Sequence, residues 1–280
     1  MPTAPLLLAI VALSFAGPFF RAAEPTHPLV AAGLRLALAS TLLVPFAVRA
    51  YRAGRLPPAH LRAGLLAGAF YGLHFGAWVW SLTLTSMAAS VTLVTATPLL
   101  LALIGVATGR DRPSPRLWVA ISLATVGVLI IGGSHLELAG PALIGDALAF
   151  LGAAAMAGYL LVVRRLGAVD PLGFTGVAAA TGGVILLCAG ALLGQAPLAA
   201  SPAAWGWLAL AALVPQLIGH SLLTWALRHV GPAVVGLATV GEPVGASLIA
   251  WLWFGEAVTG QVAVGSVVIL VAVGVAVRRA

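Results

Sequence analysis

Tyr71, His74, Trp78, Ser81 and Thr85 recur at spacings of three and four, which in an α-helix puts two aromatic rings, an imidazole and two hydroxyls on one face. Such a face suits the wall of a pocket for a small amphipathic ligand: the rings pack its apolar body and a few polar groups fix its orientation. Helix packing, with the polar tips bonded to neighbouring backbone, is the competing reading. Gln216, His220 and Thr224 make a second stripe at spacings of four. It follows Pro215, which removes a backbone donor, kinks the helix and frees a carbonyl near mid-span. Tyr159 offers a further aromatic wall, or a packing ring. His74 and His220 read equally as neutral, hydrogen-bonded core residues, and neither has a second histidine or a carboxylate at ligand spacing, so no metal is expected. An intramembrane enzyme needs paired aspartates, a serine–histidine dyad or a metal cluster. Asp146 and Glu242 have no acidic neighbour in sequence, so catalysis is not expected and no cofactor is called for. Cys188 is the one cysteine, which leaves no internal disulfide and no thiolate metal site.

A bilayer must position these groups. Apolar residues make up 61% of the 280 positions and charged ones 8%, with a mean hydropathy of +1.11. A hydrocarbon core about 30 Å thick is crossed by roughly 20 apolar helical residues. Ten stretches of that kind lie near 5–23, 28–49, 61–84, 87–108, 115–133, 141–163, 171–193, 203–226, 232–254 and 258–277. They predict an all-α integral membrane protein with no soluble domain. The first stretch lacks a basic leader and a small-residue cleavage site, so it reads as the first span.

The net charge of +7 is carried by arginines that alternate by loop. Arg49, Arg52, Arg55 and Arg62 flank the second loop, Arg110, Arg112 and Arg116 the fourth, Arg164 and Arg165 the sixth, Arg228 the eighth, and Arg278 and Arg279 the tail. The opposite loops hold only Arg21. Lys and Arg favour the cytoplasmic side, which predicts both termini in the cytoplasm and excludes nucleic acid as the partner of the basic charge. Asp146 reads as a helix-start carboxylate near the external surface. Arg35, some seven residues inside span two, is expected to snorkel to the interface along its apolar stem, with attraction of a carboxylate as the alternative.

Laying 80–128 on 225–273 pairs Trp80 with Trp225, Ala88 with Ala233, Pro98 with Pro243, Leu103 with Leu248 and Ile104 with Ile249, and sets Asp111 on Glu256. Pro28 and Pro171, which open spans two and seven, match at a similar shift. An odd number of spans per half inverts one half against the other across the membrane. Inverted repeats with a site near the midplane are a transporter architecture. Residues 1–137 and 138–280 are the expected halves, around a central cavity lined mainly by spans three, four, eight and nine with one and six nearby. Gly64, Gly68, Gly72 and Gly76 form a separate row on span three that lets another helix approach closely.

The stretches "SMAASVTLVTATPLLLALIG", "DRPSPRLWVAISLATVGVLII" and "VGPAVVGLATVGEPVGASLIAWLWFGEAVTGQVAVGSVVILVAVGVAV" resemble the two EamA repeats of the drug/metabolite transporter superfamily, over nearly the whole chain. "PLVAAGLRLALAS" at 28–40 is similar to that family's second span. The first repeat departs from the pattern, with Thr97 where Glu242 falls and Gly-Arg-Asp at 109–111 in place of the usual Gly-Glu-like pair. The resemblance implies a multi-pass protein of the bacterial inner membrane that exports small metabolites by alternating access. Its overall pattern is similar to bacterial amino-acid exporters, including the aromatic type. Amino acids, whose charges compensate internally, also fit the sparse charge of the spans. Sugar phosphates would call for clustered cations. A multidrug or quaternary-cation proton antiporter, kept open by Glu242, is the runner-up, and a structural or channel-forming membrane subunit the remote alternative.

Glu242 and Pro243 break the apolar run "GLATVGEPVGASLIAWLWFGEAVTG". Pro243 leaves a carbonyl near Thr239 without its helical donor, and two roles for Glu242 stand: support of the break by a protonated carboxyl, or proton coupling. Pro98 and Pro243 are the expected hinges on which spans four and nine rock.

Overall fold

The computed structural model describes residues 3–85, 87–132, 140–255 and 257–277. The expected boundary between 137 and 138, Glu256, Arg278 and Arg279 lie outside the described residues.

Prolines open most of the helices. Their fixed φ suits the first turn, where a missing N–H costs nothing. Span one is α1 (Thr3–Ser14) continued by α2 (Ala16–Ala22), span two α3 (Pro28–Arg52) and span three α4 (Pro58–Ser81). Span four is broken into α5 (Met87–Val94) and α6 (Thr97–Thr108), and span five is α7 (Pro115–Gly132). Span six is α8 (Gly140–Leu166) and span seven α9 (Pro171–Leu192), whose N-terminus is capped by Asp170 accepting from Gly173 N at 2.9 Å. Span eight runs from α10 (Pro202–Ala211) through a π-helical segment, Ala212–His220, into α11 (Ser221–Ala226). Span nine is broken into α12 (Pro232–Thr239) and α13 (Glu242–Phe254), and span ten is α14 (Gly260–Val277).

By length and composition, seven of these spans are apolar enough to cross a membrane, and Pro115–Ile131 and Gly260–Ala276 are shorter apolar helices. With α4 they make ten, and exposed side chains such as Leu8, Val11, Leu66, Val184 and Val267 present an apolar outer surface to lipid. The inverted repeat is visible in the helix ends. α5, α6 and α7 begin at Met87, Thr97 and Pro115, while α12, α13 and α14 begin 145 positions later at Pro232, Glu242 and Gly260. Packing obeys the same relation. α3 lies on α9 and α7 on α14, each against its own counterpart, α6 packs on α12, the counterpart of α5, and the contact of α4 with α8 is answered by that of the π-helical segment with α1.

The glycine row of α4 meets α9. A Cβ on Gly72 would stand 3.2 Å from both Cα and O of Gly182, and one on Gly182 would stand 3.0 Å from Gly68 O. Backbone faces backbone there, with no flexible side chain to yield. Gly72→Val is therefore expected to destabilise the protein by about 1–3 kcal/mol through overpacking. An unchanged melting temperature in detergent would show that the two helices do not need this spacing.

Two expectations are corrected. Asp146 is not a helix-start residue, because α8 begins at Gly140 and carries it nearly two turns inside. It is buried and accepts from Thr85 Oγ1 at 2.7 Å, tying span six to the turn that follows α4. The aromatic stripe accordingly ends with α4 at Ser81, whose hydroxyl donates to Trp78 O at 2.6 Å and pairs with Ser90 Oγ at 2.6 Å. Pro215 is absorbed by the π-helical segment, which widens the turn instead of leaving a simple kink.

Candidate functional site

Between the two halves lies a cavity enclosing about 1070 Å³ of empty space, its open mouth included. Its walls come from α1, α2, α4, α5, α6, α8, α11, α12 and α13, from His220 of the π-helical segment and from Arg35 of α3. The depth of each wall residue follows from its distance along the helix. α4 rises from the arginine-rich second loop, and the cavity touches it from His74 to Leu82, its far half. α13 contributes Glu242, Pro243, Ala246 and Ala250, and α2 contributes Arg21, all toward the same far side. The mouth therefore faces away from the arginine-rich loops.

On the arginine-rich side the bundle is shut. Tyr71, one turn below His74, is fully buried and stacks on Tyr159 with ring centroids 4.5 Å apart and planes 13° apart. Gln216 Nε2 donates to Tyr71 Oη at 2.9 Å, Tyr159 Oη pairs with Thr224 Oγ1 at 2.7 Å, and Thr175 donates to Thr224 at 3.3 Å. None of Tyr71, Tyr159 and Gln216 is among the residues bordering the cavity. They form a buried layer next to it, flanked by Leu160 and Leu223 of the cavity wall. Farther out, Arg164 binds Asp111 at 2.8 Å and donates to Leu227 O at 2.9 Å, while Arg55 pairs with Asp170 at 2.7 Å.

Tyr71 and Gln216 are 145 positions apart, so each is the other's counterpart in the repeat. Phe75 and His220 are counterparts by the same shift, and their rings meet edge to face at 5.3 Å. Residues that touch their own counterparts lie on the axis relating the halves. That relation also aligns His220 with Phe75, and not with its near neighbour His74.

His74, Trp78 and His220 do border the cavity. His74 Nδ1 lies 2.9 Å from Gly152 O, and because a carbonyl only accepts, Nδ1 carries the proton. The His74 ring is parallel to Trp78, at 6.2 Å and 11°. Trp78 Nε1 and His220 Nδ1 are buried with no hydrogen-bond partner among the described residues. The indole N–H is a donor, and the imidazole nitrogen donates or accepts according to its tautomer, so both are available to a ligand in the cavity.

The breaks in spans four and nine frame the same space. Pro98 N cannot bond Val94 O, and Thr97 Oγ1 takes that carbonyl at 3.1 Å while also reaching Ala153 O at 3.2 Å. In the second repeat Glu242 stands in the place of Thr97. Its carboxylate is half-buried, borders the cavity and makes no hydrogen bond among the described residues. So the carboxylate does not close the break in the way the threonine does.

Arg35 departs furthest from expectation. It does not snorkel: it is fully buried, borders the cavity, and its Nε, Nη1 and Nη2 have no hydrogen-bond partner among the described residues. Its guanidinium carbon lies 4.3 Å from the Phe75 ring centroid and 5.5 Å from that of Phe20. Snorkelling fails because the stem points into the bundle, where these rings take the place of the interface. A desolvated cation–π contact is worth about 2 kcal/mol, against several kcal/mol for taking one ion out of water. The rings offset only part of the cost. Phe75 and Arg21 also border the cavity, and sequence reasoning left both out. The signal for Phe75 was its place opposite His220 in the repeat, whereas nothing local distinguishes Arg21 from a loop charge.

The EamA-like transporter family model matches residues 4–133 and 143–278. No curated protein matches the chain. A solved crystal structure of a protein 17% identical to it covers 100% of this chain and 99% of its own, with a TM-score of 0.80, a likeness of fold.

Proposed function

Since the chain belongs to the EamA-like transporter family, we propose that it exports small metabolites, amino acids foremost, through the bacterial inner membrane by alternating access. The observation that carries the reading is the central cavity between inverted halves, open on one side and shut on the other by a buried layer and two ion pairs. With the arginine-rich loops in the cytoplasm, both termini are cytoplasmic and the cavity faces outward. His74, Trp78 and His220 contact the substrate, and Tyr71, Tyr159 and Gln216 form the closed layer that parts when the protein opens inward. The halves are 1–137 and 138–280. The work is transport and not catalysis.

Transport by purified protein in liposomes tests this, with amino acids, quaternary cations and sugar phosphates offered with and without a pH gradient. Uptake of amino acids is the expected result, and movement of sugar phosphates alone would overturn it. The second reading, a proton-coupled exporter of quaternary cations, is favoured by the carboxylate of Glu242 on the cavity wall. Glu242→Gln keeps the shape and removes the charge. On this reading it is expected to abolish stimulation by a pH gradient. Full pH-driven transport by this variant would leave Glu242 only a structural part.

A further inference from the structure

We infer that Arg35 is the receptor for a carboxylate on the transported molecule, and that Glu242, across the same cavity, receives its ammonium group. The inference deepens the amino-acid reading and rests on it. Three observations meet at Arg35. Its guanidinium is fully buried, none of its three nitrogens has a hydrogen-bond partner among the described residues, and it borders the cavity instead of a closed pocket in the core. A planar fork of donors without acceptors matches a carboxylate, which takes two parallel N–H···O bonds.

Phe75 supplies the cover. Its ring lies against the guanidinium and also borders the cavity, so a ligand reaches the cation by displacing one ring face. Trp78 and Phe75 then flank the apolar part of the ligand, and the unpaired Nε1 of Trp78 is a further donor. Glu242 decides which anion fits. A carboxylate in the same cavity attracts an ammonium, so Arg35 and Glu242 together match a zwitterion, with Arg21 a further cation on the wall.

The test is the melting temperature of the purified full-length protein in detergent, titrated with phenylalanine, phenylpropionate, phenethylamine, phenylalanine methyl ester and glycerol phosphate. Phenylalanine is expected to stabilise the wild type most, and phenylpropionate, which lacks the ammonium that Glu242 receives, to stabilise it less; equal binding of the two would overturn the part given to Glu242. The amine and the ester should bind roughly ten- to hundredfold more weakly, the loss of hydrogen bonds to a charged group. Arg35→Gln should erase that preference and Arg35→Lys, which keeps the charge but not the fork, should restore part of it. Equal binding of acid, amine and ester, an undiminished preference in Arg35→Gln, or a response to glycerol phosphate alone would overturn the assignment of Arg35. The ligand series on wild-type protein decides the matter if Arg35→Gln does not fold. A flat response to every ligand, or one confined to a quaternary cation added as a sixth, fails the amino-acid reading itself and the Arg35 assignment with it.

Discussion

Tyr71→Ala is expected to lower stability by about 3–5 kcal/mol, the usual cost of truncating a large buried aromatic side chain, and to make liposomes leak where the wild type holds a gradient. The side chain is fully buried, stacked on Tyr159, edge to face with Phe75 and His220, and bonded to Gln216. Its loss empties the centre of the layer that separates the cavity from the arginine-rich side. It also strands the Gln216 amide, whose Oε1 already lacks a partner among the described residues. Tyr71→Phe separates the two effects. The ring stays, so the layer stays closed, and only the hydrogen bond is lost, at about 1–3 kcal/mol for the buried donor left behind. Thermal unfolding and passive leak, measured on both variants, check the ordering. A tight, stable Tyr71→Ala protein would mean that the barrier lies elsewhere.

Much of the fold was legible because a bilayer allows few solutions. The length rule finds the spans, and the shift of 145 residues pairs those of one half with those of the other without any knowledge of packing. Local chemistry repeated at one spacing did the rest: Pro98 and Pro243 mark the two breaks, and the glycine row on α4 meets its partner helix. The site was less legible. Periodicity places Tyr71, His74 and Trp78 on one face, but only the crossing of α4 with α8 and span eight decides that the lower end of that face is filled and the upper end empty. Arg35 carries no local sign of its burial, since the rings that cover it, Phe20 and Phe75, come from spans one and three. Thr85 and Asp146 bond across 61 positions, and such a pairing is invisible until the helices are docked.

Pro98→Ala combined with Pro243→Ala is expected to slow transport by roughly five- to hundredfold while leaving folded yield unchanged or higher. Each alanine restores an N–H that can reach the carbonyl four residues back, at Val94 or Thr239, and lets the broken span become a continuous helix. At about 0.5–1.5 kcal/mol per hydrogen bond, two such bonds bias the straight form by about 1–3 kcal/mol, which sets the fold-change in the bent population. The two sites are unequal. Thr97 Oγ1 already occupies Val94 O, so the amide restored at 98 displaces an existing bond. Thr239 O has no hydroxyl donor of that kind, because Glu242 replaces the threonine and its carboxylate borders the cavity. Pro243→Ala alone should therefore slow transport more than Pro98→Ala alone, with the melting temperature rising in the same order. Counterflow rates at saturating substrate on the single and double variants measure this. Equal rates across the series would dismiss the breaks as hinges and leave rigid rotation of the two halves to move the substrate.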